Sequence, residues 1–297
     1  LYRVAIEPDQ RGSEGKVFAF LEKAADADPT LSVGRDEDTG QTIVSAIGEA
    51  QVSVLLDRLE DRAGVTAHTV KLRIPYRETI RRVASAQGRH KKQTGGAGQY
   101  GDCWLRVEPN PGAGYEFVDE VVGGHVPRNF IPAIDKGVQE TMREGVLAGY
   151  PLIDVRCAVY DGSYHPVDSN EMAFKTAARI GFQKAVAQAE PVLLEPMAHL
   201  RITVPDSYAG SIMGDVSASR GRVEGMAAAS GAVEAGLTTI EATVPYAEVT
   251  DYATRLRSLS RGTGEFEMEL SGYEQVPHDV QQRLAEEYAE RRAAGDK

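Results

Sequence analysis

The residues best equipped for chemistry lie in one polar run, Asp161 to Glu171, where His165 stands between Asp161 and Asp168. An imidazole beside carboxylates can act as an acid–base group. No nucleophile or second orienting group is identifiable around it, so the sequence assigns no catalytic residue and His165 reads as a contact residue. Asp168 followed three residues later by Glu171 is a capping-box spacing, so the pair is expected to start a helix rather than to share a proton. Gly96, Gly98 and Gly101 match G-x-G-x-x-G, a fingerprint that must open a helix for its N-terminus to hold a pyrophosphate. Here Cys103 to Glu108 alternates as a strand, which excludes that use, and no cofactor is expected. No G-x-x-x-x-G-K-[ST] occurs, so the chain is not expected to hydrolyse GTP or ATP. The six histidines are scattered without metal-ligand spacing, so no metal site is expected.

The elements that must position the polar run are legible around it. In Ile153–Tyr160, apolar residues alternate with polar ones as in a strand packed on one face. Beyond the run, Phe174, Ala177, Ala178, Gly181, Phe182, Ala185, Val186 and Ala189 form one helical stripe, small enough for close approach to a sheet. Cys103 and Cys157 fall on the apolar sides of strands and read as buried thiols in a reducing, cytoplasmic protein. The net charge of −11 argues against indiscriminate nucleic-acid binding, yet Arg77, Arg81, Arg82, Arg89, Lys91 and Lys92 crowd one stretch with a single acid, Glu78. A glycine-rich polar loop, QTGGAGQYGD, follows it. If that loop and Asp161–Ser169 lie at one end of a domain, they form a tip with backbone N–H groups and stackable Tyr and His rings before a basic strand. That is the chemistry by which structured RNA is read.

Across 297 residues, with 42% hydrophobic and 26% charged, two or three domains are expected, with no apolar run long enough to span a membrane. The chain begins at Leu1 within a strand pattern, as expected of a piece of a longer protein. Residues 1–74 read β-α-β-β-α-β, with helices Ser13–Ala25 and Gln51–Ala63, a ferredoxin-like sandwich. Residues 197–274 repeat that order, with a helix Ser207–Ser219 ended by Gly221. Residues 75–196 form a separate α+β domain containing a helix near Asn129–Leu147, and the tail from Pro277 reads as a C-terminal helix.

Five stretches carry a more specific likeness: QTGGAGQYGD, FIPAIDKGVQETMREGVLAGYP, DGSYHPVDSNEMAFK, PVLLEPM and YATRLRSLSRGTGEFEMELSGYEQVP. Together they resemble translation elongation factor G over essentially the whole chain. The resemblance implies an α+β multidomain fold, with two ferredoxin-like βαββαβ sandwiches flanking a ribosomal protein S5 domain 2-like α+β domain. Residues 1–74 would correspond to domain III, 75–196 to the tip-bearing domain IV, and 197–297 to domain V with its C-terminal helix. It also implies a cytoplasmic monomer whose partners are the ribosomal decoding region, the tRNA–mRNA duplex and the factor-binding region of the large subunit. GTP and Mg would be held by domains preceding these, the parent protein being a GTPase. By position, the loops Gln93–Gln99 and Gly162–Ser169 would touch RNA, with Arg89, Lys91, Lys92, Gln93, Gly95, Gly96, Gln99, Ser163, Tyr164, His165 and Asp168 as contacts. Arg220, at the end of a domain V helix, would be a further contact. Ala97 stands where the housekeeping factors usually have Arg, and Pro166 where they commonly have Asp, while HVPRNFIP looks more like elongation factor G-like paralogues. A translocase and a ribosome-bound paralogue acting in recycling, regulation or protection therefore both stay open.

Overall fold

The computed structural model describes residues 2–93, 98–228 and 236–295. They form two compact units, one of residues 1–75 with 195–273 and one of residues 76–194 with 274–297. In the first, β1 (Tyr2–Pro8), α1 (Glu14–Ala27), β2 (Ser32–Arg35), β3 (Thr42–Ala46), α2 (Glu49–Ala63) and β4 (Ala67–Val70) follow one another. The sheet order is β2-β3-β1-β4, all antiparallel, the ferredoxin-like order. Val17 and Leu21 of α1 meet Val52, Leu55 and Leu59 of α2 over Val4, Ile6 and Val44 in one core. Gly64 ends α2 at φ 62°, a left-handed backbone that glycine adopts without a Cβ clash.

The middle segment carries β5 (Arg77–Ile80), β6 (Ala84–Lys92), β7 (Gln99–Pro109), β8 (Glu116–Asp119), α3 (Ile131–Glu144), β9 (Val155–Ser163) and α4 (Glu171–Gln188). Its sheet runs β6-β7-β9-β8, with β8 parallel to β9. The helical stripe expected of α4 is buried as a whole, together with Ile134 and Val138 of α3 and with Leu105, Val107, Cys157 and Val159 of the sheet. Small residues let the layers close. A Cβ on Gly88 of β6 would collide with the Ala177 carbonyl of α4, and one on Gly181 would lie 2.8 Å from the Gly88 nitrogen. The expected helix Asn129–Leu147 is shorter, because the Arg128–Phe130 stretch is a single 3₁₀ turn and Gly145 at φ 76° breaks α3. Both cysteines are free and buried, and burial pushes the Cys103 thiol up to about 12.

β10 (Pro191–Pro205) leaves this segment. Its first four residues pair β5, and from Met197 it pairs β12. α5 (Asp206–Ala218), β11 (Arg222–Ala228), β12 (Leu237–Pro245), α6 (Tyr252–Leu259) and β13 (Glu265–Gln275) complete a second βαββαβ, again in the order 2-3-1-4, as β11-β12-β10-β13. α5 is closed by Arg220 in the left-handed region, φ 56°, not by Gly221. Gly221 is needed for packing instead, since a Cβ there would lie 2.7 Å from a Val244 methyl and 2.8 Å from Val216. Tyr252 is buried in this core and its hydroxyl has no hydrogen-bond partner among the described residues. Tyr252→Phe is therefore expected to change stability by less than about 1 kcal/mol in thermal unfolding, and a loss above about 2 kcal/mol would show that the hydroxyl is bonded. The tail helix α7 (His278–Ala294), placed by the sequence with the last segment, packs on the middle one. Leu193 N–H donates to Gln281 Oε1 (2.9 Å), and the Tyr288 ring occupies the space a Cβ would take on Gly149.

Candidate nucleic-acid interface

In the middle unit, the antiparallel β6–β7 hairpin aligns Lys92 with Gln99, and β9 runs antiparallel to β7 with Ser163 opposite Asp102. The end of β6, the start of β7 and the end of β9 thus share one end of the sheet, so the described ends of the first loop, Gln93 and Gly98–Gln99, adjoin the second loop after Ser163. Their junction is tied by hydrogen bonds. Tyr100 N–H donates to the Asp168 carbonyl (2.8 Å), and Ser169 Oγ donates to the Tyr100 carbonyl (2.8 Å). The His165 N–H donates to Ser169 Oγ (2.9 Å), closing the second loop on itself. Glycines pack against the same junction. A Cβ on Gly98 would lie 2.5 Å from the Asp168 carboxylate carbon, and one on Gly101 would run into the Ala173 backbone at the start of α4. These two glycines therefore serve contacts within the protein; the close approach to RNA expected of the loop does not account for them. Gly95, Gly96 and Ala97 lie outside the described residues.

The helix start also differs from expectation. Asn170, not Asp168, is the N-cap of α4, its Oδ1 accepting the Ala173 N–H at 2.8 Å. Asp168 is free to cross to the neighbouring loop. The His165 Nδ1 accepts the N–H groups of Asp168 (3.1 Å) and Val167 (3.3 Å). Asp168 Oδ2 lies 3.4 Å from the same ring nitrogen.

Of the sequence-predicted contacts, Arg89, Lys91, Lys92, Gln93, Tyr164 and His165 are exposed at this edge. Among the described residues, no carboxylate lies within ion-pair distance of Arg89, Lys91 or Lys92, whereas Arg82, farther back, is bound to Glu190 (2.9 Å) and Arg81 bonds Gln275. Arg89 lies over the Tyr100 ring, 5.6 Å from its centroid, and that ring is 6.4 Å from the His165 ring. Ser163 turns inward. Its Oγ donates to Asp102 Oδ2 (2.6 Å) and meets the Tyr100 hydroxyl (2.7 Å), while Asp102 Oδ1 accepts from Gln87 (2.7 Å). Gln99 Oε1 faces His90 Nε2 at 2.9 Å. Asp161, a neighbour of His165 in the sequence, instead bonds His125 Nδ1 (2.9 Å), which holds its carboxyl below the usual range. Arg220 belongs to the other compact unit. Its guanidinium is committed to Glu195 (2.7 and 2.9 Å) and Glu248 (3.0 Å), bonds that hold its charge firmly and occupy the donors a phosphate would need.

Sequence reasoning missed the residues that hold the tip in shape: Tyr100, Asp102, Ser169 and Asn170. Asp102 directly precedes the alternating stretch that begins at Cys103, and its burial depends on partners, Gln87 and Ser163, that lie 15 and 61 residues away.

Three family models match the chain in series. Residues 1–71 match elongation factor G domain III, 72–190 elongation factor G domain IV, and 192–284 the elongation factor G C-terminus. A crystal structure of a Thermus thermophilus protein is similar at a TM-score of 0.80 and 41% identity, over 97% of this chain and 42% of that one. The chain thus spans less than half the length of that protein. Three consecutive matches, the two 2-3-1-4 sheets and the mixed α+β segment between them in sequence agree: this chain belongs to the elongation factor G family and comprises its domains III, IV and C-terminal.

Proposed function

We propose that this chain is the ribosome-facing arm of a translational GTPase, whose tip contacts the tRNA–mRNA duplex in the decoding region and so promotes translocation. The observation that carries the reading is the exposed cationic group Arg89, Lys91 and Lys92, with no carboxylate in ion-pair distance among the described residues, at the end of the sheet where Tyr100 links Arg89 to the exposed His165 ring. Cations without internal acids can neutralise phosphates, and exposed rings can stack on unpaired bases. The arm works by steric and hydrogen-bond contact, with no covalent step. GTP and Mg, and the hydrolysis that drives the arm, belong to family domains other than the three matched here. The partner is the ribosome, including the factor-binding region of the large subunit, and the setting is the cytoplasm. Among the described residues no helix is long and apolar enough to cross a membrane.

Replacing Lys91 and Lys92 together by alanine is expected to weaken ribosome binding and to flatten the plot of log affinity against log salt by about 1 to 2 in slope. A slope equal to that of the unmodified protein would remove both lysines from the RNA interface. A second reading, a ribosome-bound paralogue that does not translocate, is favoured by Pro166, exposed directly after His165 where the resemblance leads one to expect a carboxylate. Single-round translocation by the factor carrying this chain separates the two: binding without movement selects the paralogue.

A further inference from the structure

We infer that the groove between the first turns of α3 and α4 binds a single unpaired guanine of the RNA on which the tip docks, an inference that rests on the RNA-contact reading of the tip. The groove encloses about 720 Å³ and is lined by Gln99, Asn129, Lys136, Asn170, Glu171 and Met172 among others. That volume is within the range of small-ligand sites, which run roughly 300–1,000 Å³. It adjoins the tip directly, because Gln99 opens β7 and Asn170 ends the second tip loop.

The side-chain chemistry selects a base. Asn170 uses Oδ1 to cap α4 (2.8 Å from Ala173 N) and Gln99 faces His90 with Oε1 (2.9 Å). Each carboxamide thereby retains an NH₂ group with protons to donate. Glu171, exposed beside them in the first turn of α4, supplies two acceptor oxygens. Guanine matches that division: its O6 takes the amide donors, while N1–H and N2–H address both oxygens of one carboxylate. Adenine and uracil each present a single donor on the pairing edge, leaving one carboxylate oxygen unmatched. Met172 is 60% exposed, an apolar thioether placed for a ring face, and Lys136 is an exposed cation for the attached phosphate.

The test uses the chain with ¹³C-labelled methionine methyls, the Met172 signal being identified with Met172→Leu. The probes are a uridine hexamer and uridine hexamers containing one guanosine or one adenosine. The Met172 signal is expected to move with the guanosine hexamer at about tenfold or greater affinity over the other two. Glu171→Gln is expected to abolish that preference while weak binding persists. Lys91→Ala with Lys92→Ala is expected to weaken all three hexamers alike and keep the preference. An unmoved Met172 signal, equal affinities for the three probes, or a preference that survives Glu171→Gln would overturn the guanine site. The salt dependence of ribosome binding would still decide separately whether the tip lysines touch RNA.

Discussion

Glu78→Ala is expected to lower the stability of the middle unit by about 3–5 kcal/mol, a large part of what holds a domain folded. Glu78 is fully buried, and its carboxylate accepts four backbone N–H groups of one loop: Val146 (2.7 Å), Leu147 (2.9 Å), Ala148 (2.8 Å) and Tyr150 (3.1 Å). Its backbone is engaged too, donating to the Pro151 carbonyl and accepting from the Ile153 N–H, both at 2.8 Å. Removing the side chain leaves four donors of the loop between α3 and β9 without their acceptor, and each unsatisfied buried donor costs about 1–3 kcal/mol before relaxation. Glu78→Gln is expected to cost less, since one oxygen remains, though its NH₂ would face donors. The chain's single tryptophan, Trp104, lies on β7 of the same unit, so denaturant unfolding followed by its fluorescence reads this effect directly. A midpoint within experimental error of the wild type would show that the loop holds its shape without Glu78.

Gly88→Ala is expected to cost about 3 kcal/mol by the same readout, at the upper end of overpacking penalties. The added methyl would meet the Ala177 carbonyl and lie 2.5 Å from the Gly181 nitrogen, so the obstacle is helix backbone and no rotamer change relieves it. The sheet and α4 would have to separate, and α4 carries the second tip loop at its N-terminus. The variant should therefore also loosen the Tyr100–Asp168 and Tyr100–Ser169 bonds. Gly210→Ala makes the opposite case. It lies inside α5 with nothing within 4 Å of a new Cβ, and is expected to stabilise by about 0.5–1 kcal/mol through helix propensity. Equal effects of the two substitutions would refute the packing explanation.

Much of the fold was legible because periodicity and burial coincide. The eight-residue stripe of α4 is buried throughout, and both βαββαβ segments were readable from the order of their strand and helix patterns. What was not legible depended on contacts distant in sequence. Glu78 looked like the one acid in a basic run, and only the loop 68 to 72 residues later gives it a purpose. Arg220 looked like a free cation at a helix end, because Glu195 and Glu248 that claim it are 25 and 28 residues away. The capping box misplaced the start of α4 by two residues, since Asn170 competed for the cap and Asp168 had a cross-loop contact to make. In the candidate site, residue types did not reveal the division of labour among the side chains. Ser163 is committed to Asp102, whereas Arg89, Lys91 and Lys92 are left outward.

The most direct test of the tip as an RNA-contacting end is directed hydroxyl-radical probing from position 167. Val167 is 83% exposed in the second tip loop, and both cysteines of this chain are buried, so Val167→Cys provides the one accessible thiol within the chain for an iron chelate, with the factor lacking the substitution as the background control. In the complete factor bound to 70S ribosomes with a non-hydrolysable GTP analogue, cleavage is expected in the decoding region of small-subunit RNA and in the tRNA or mRNA there. Cleavage elsewhere on the ribosome, with the decoding region intact, would contradict the account.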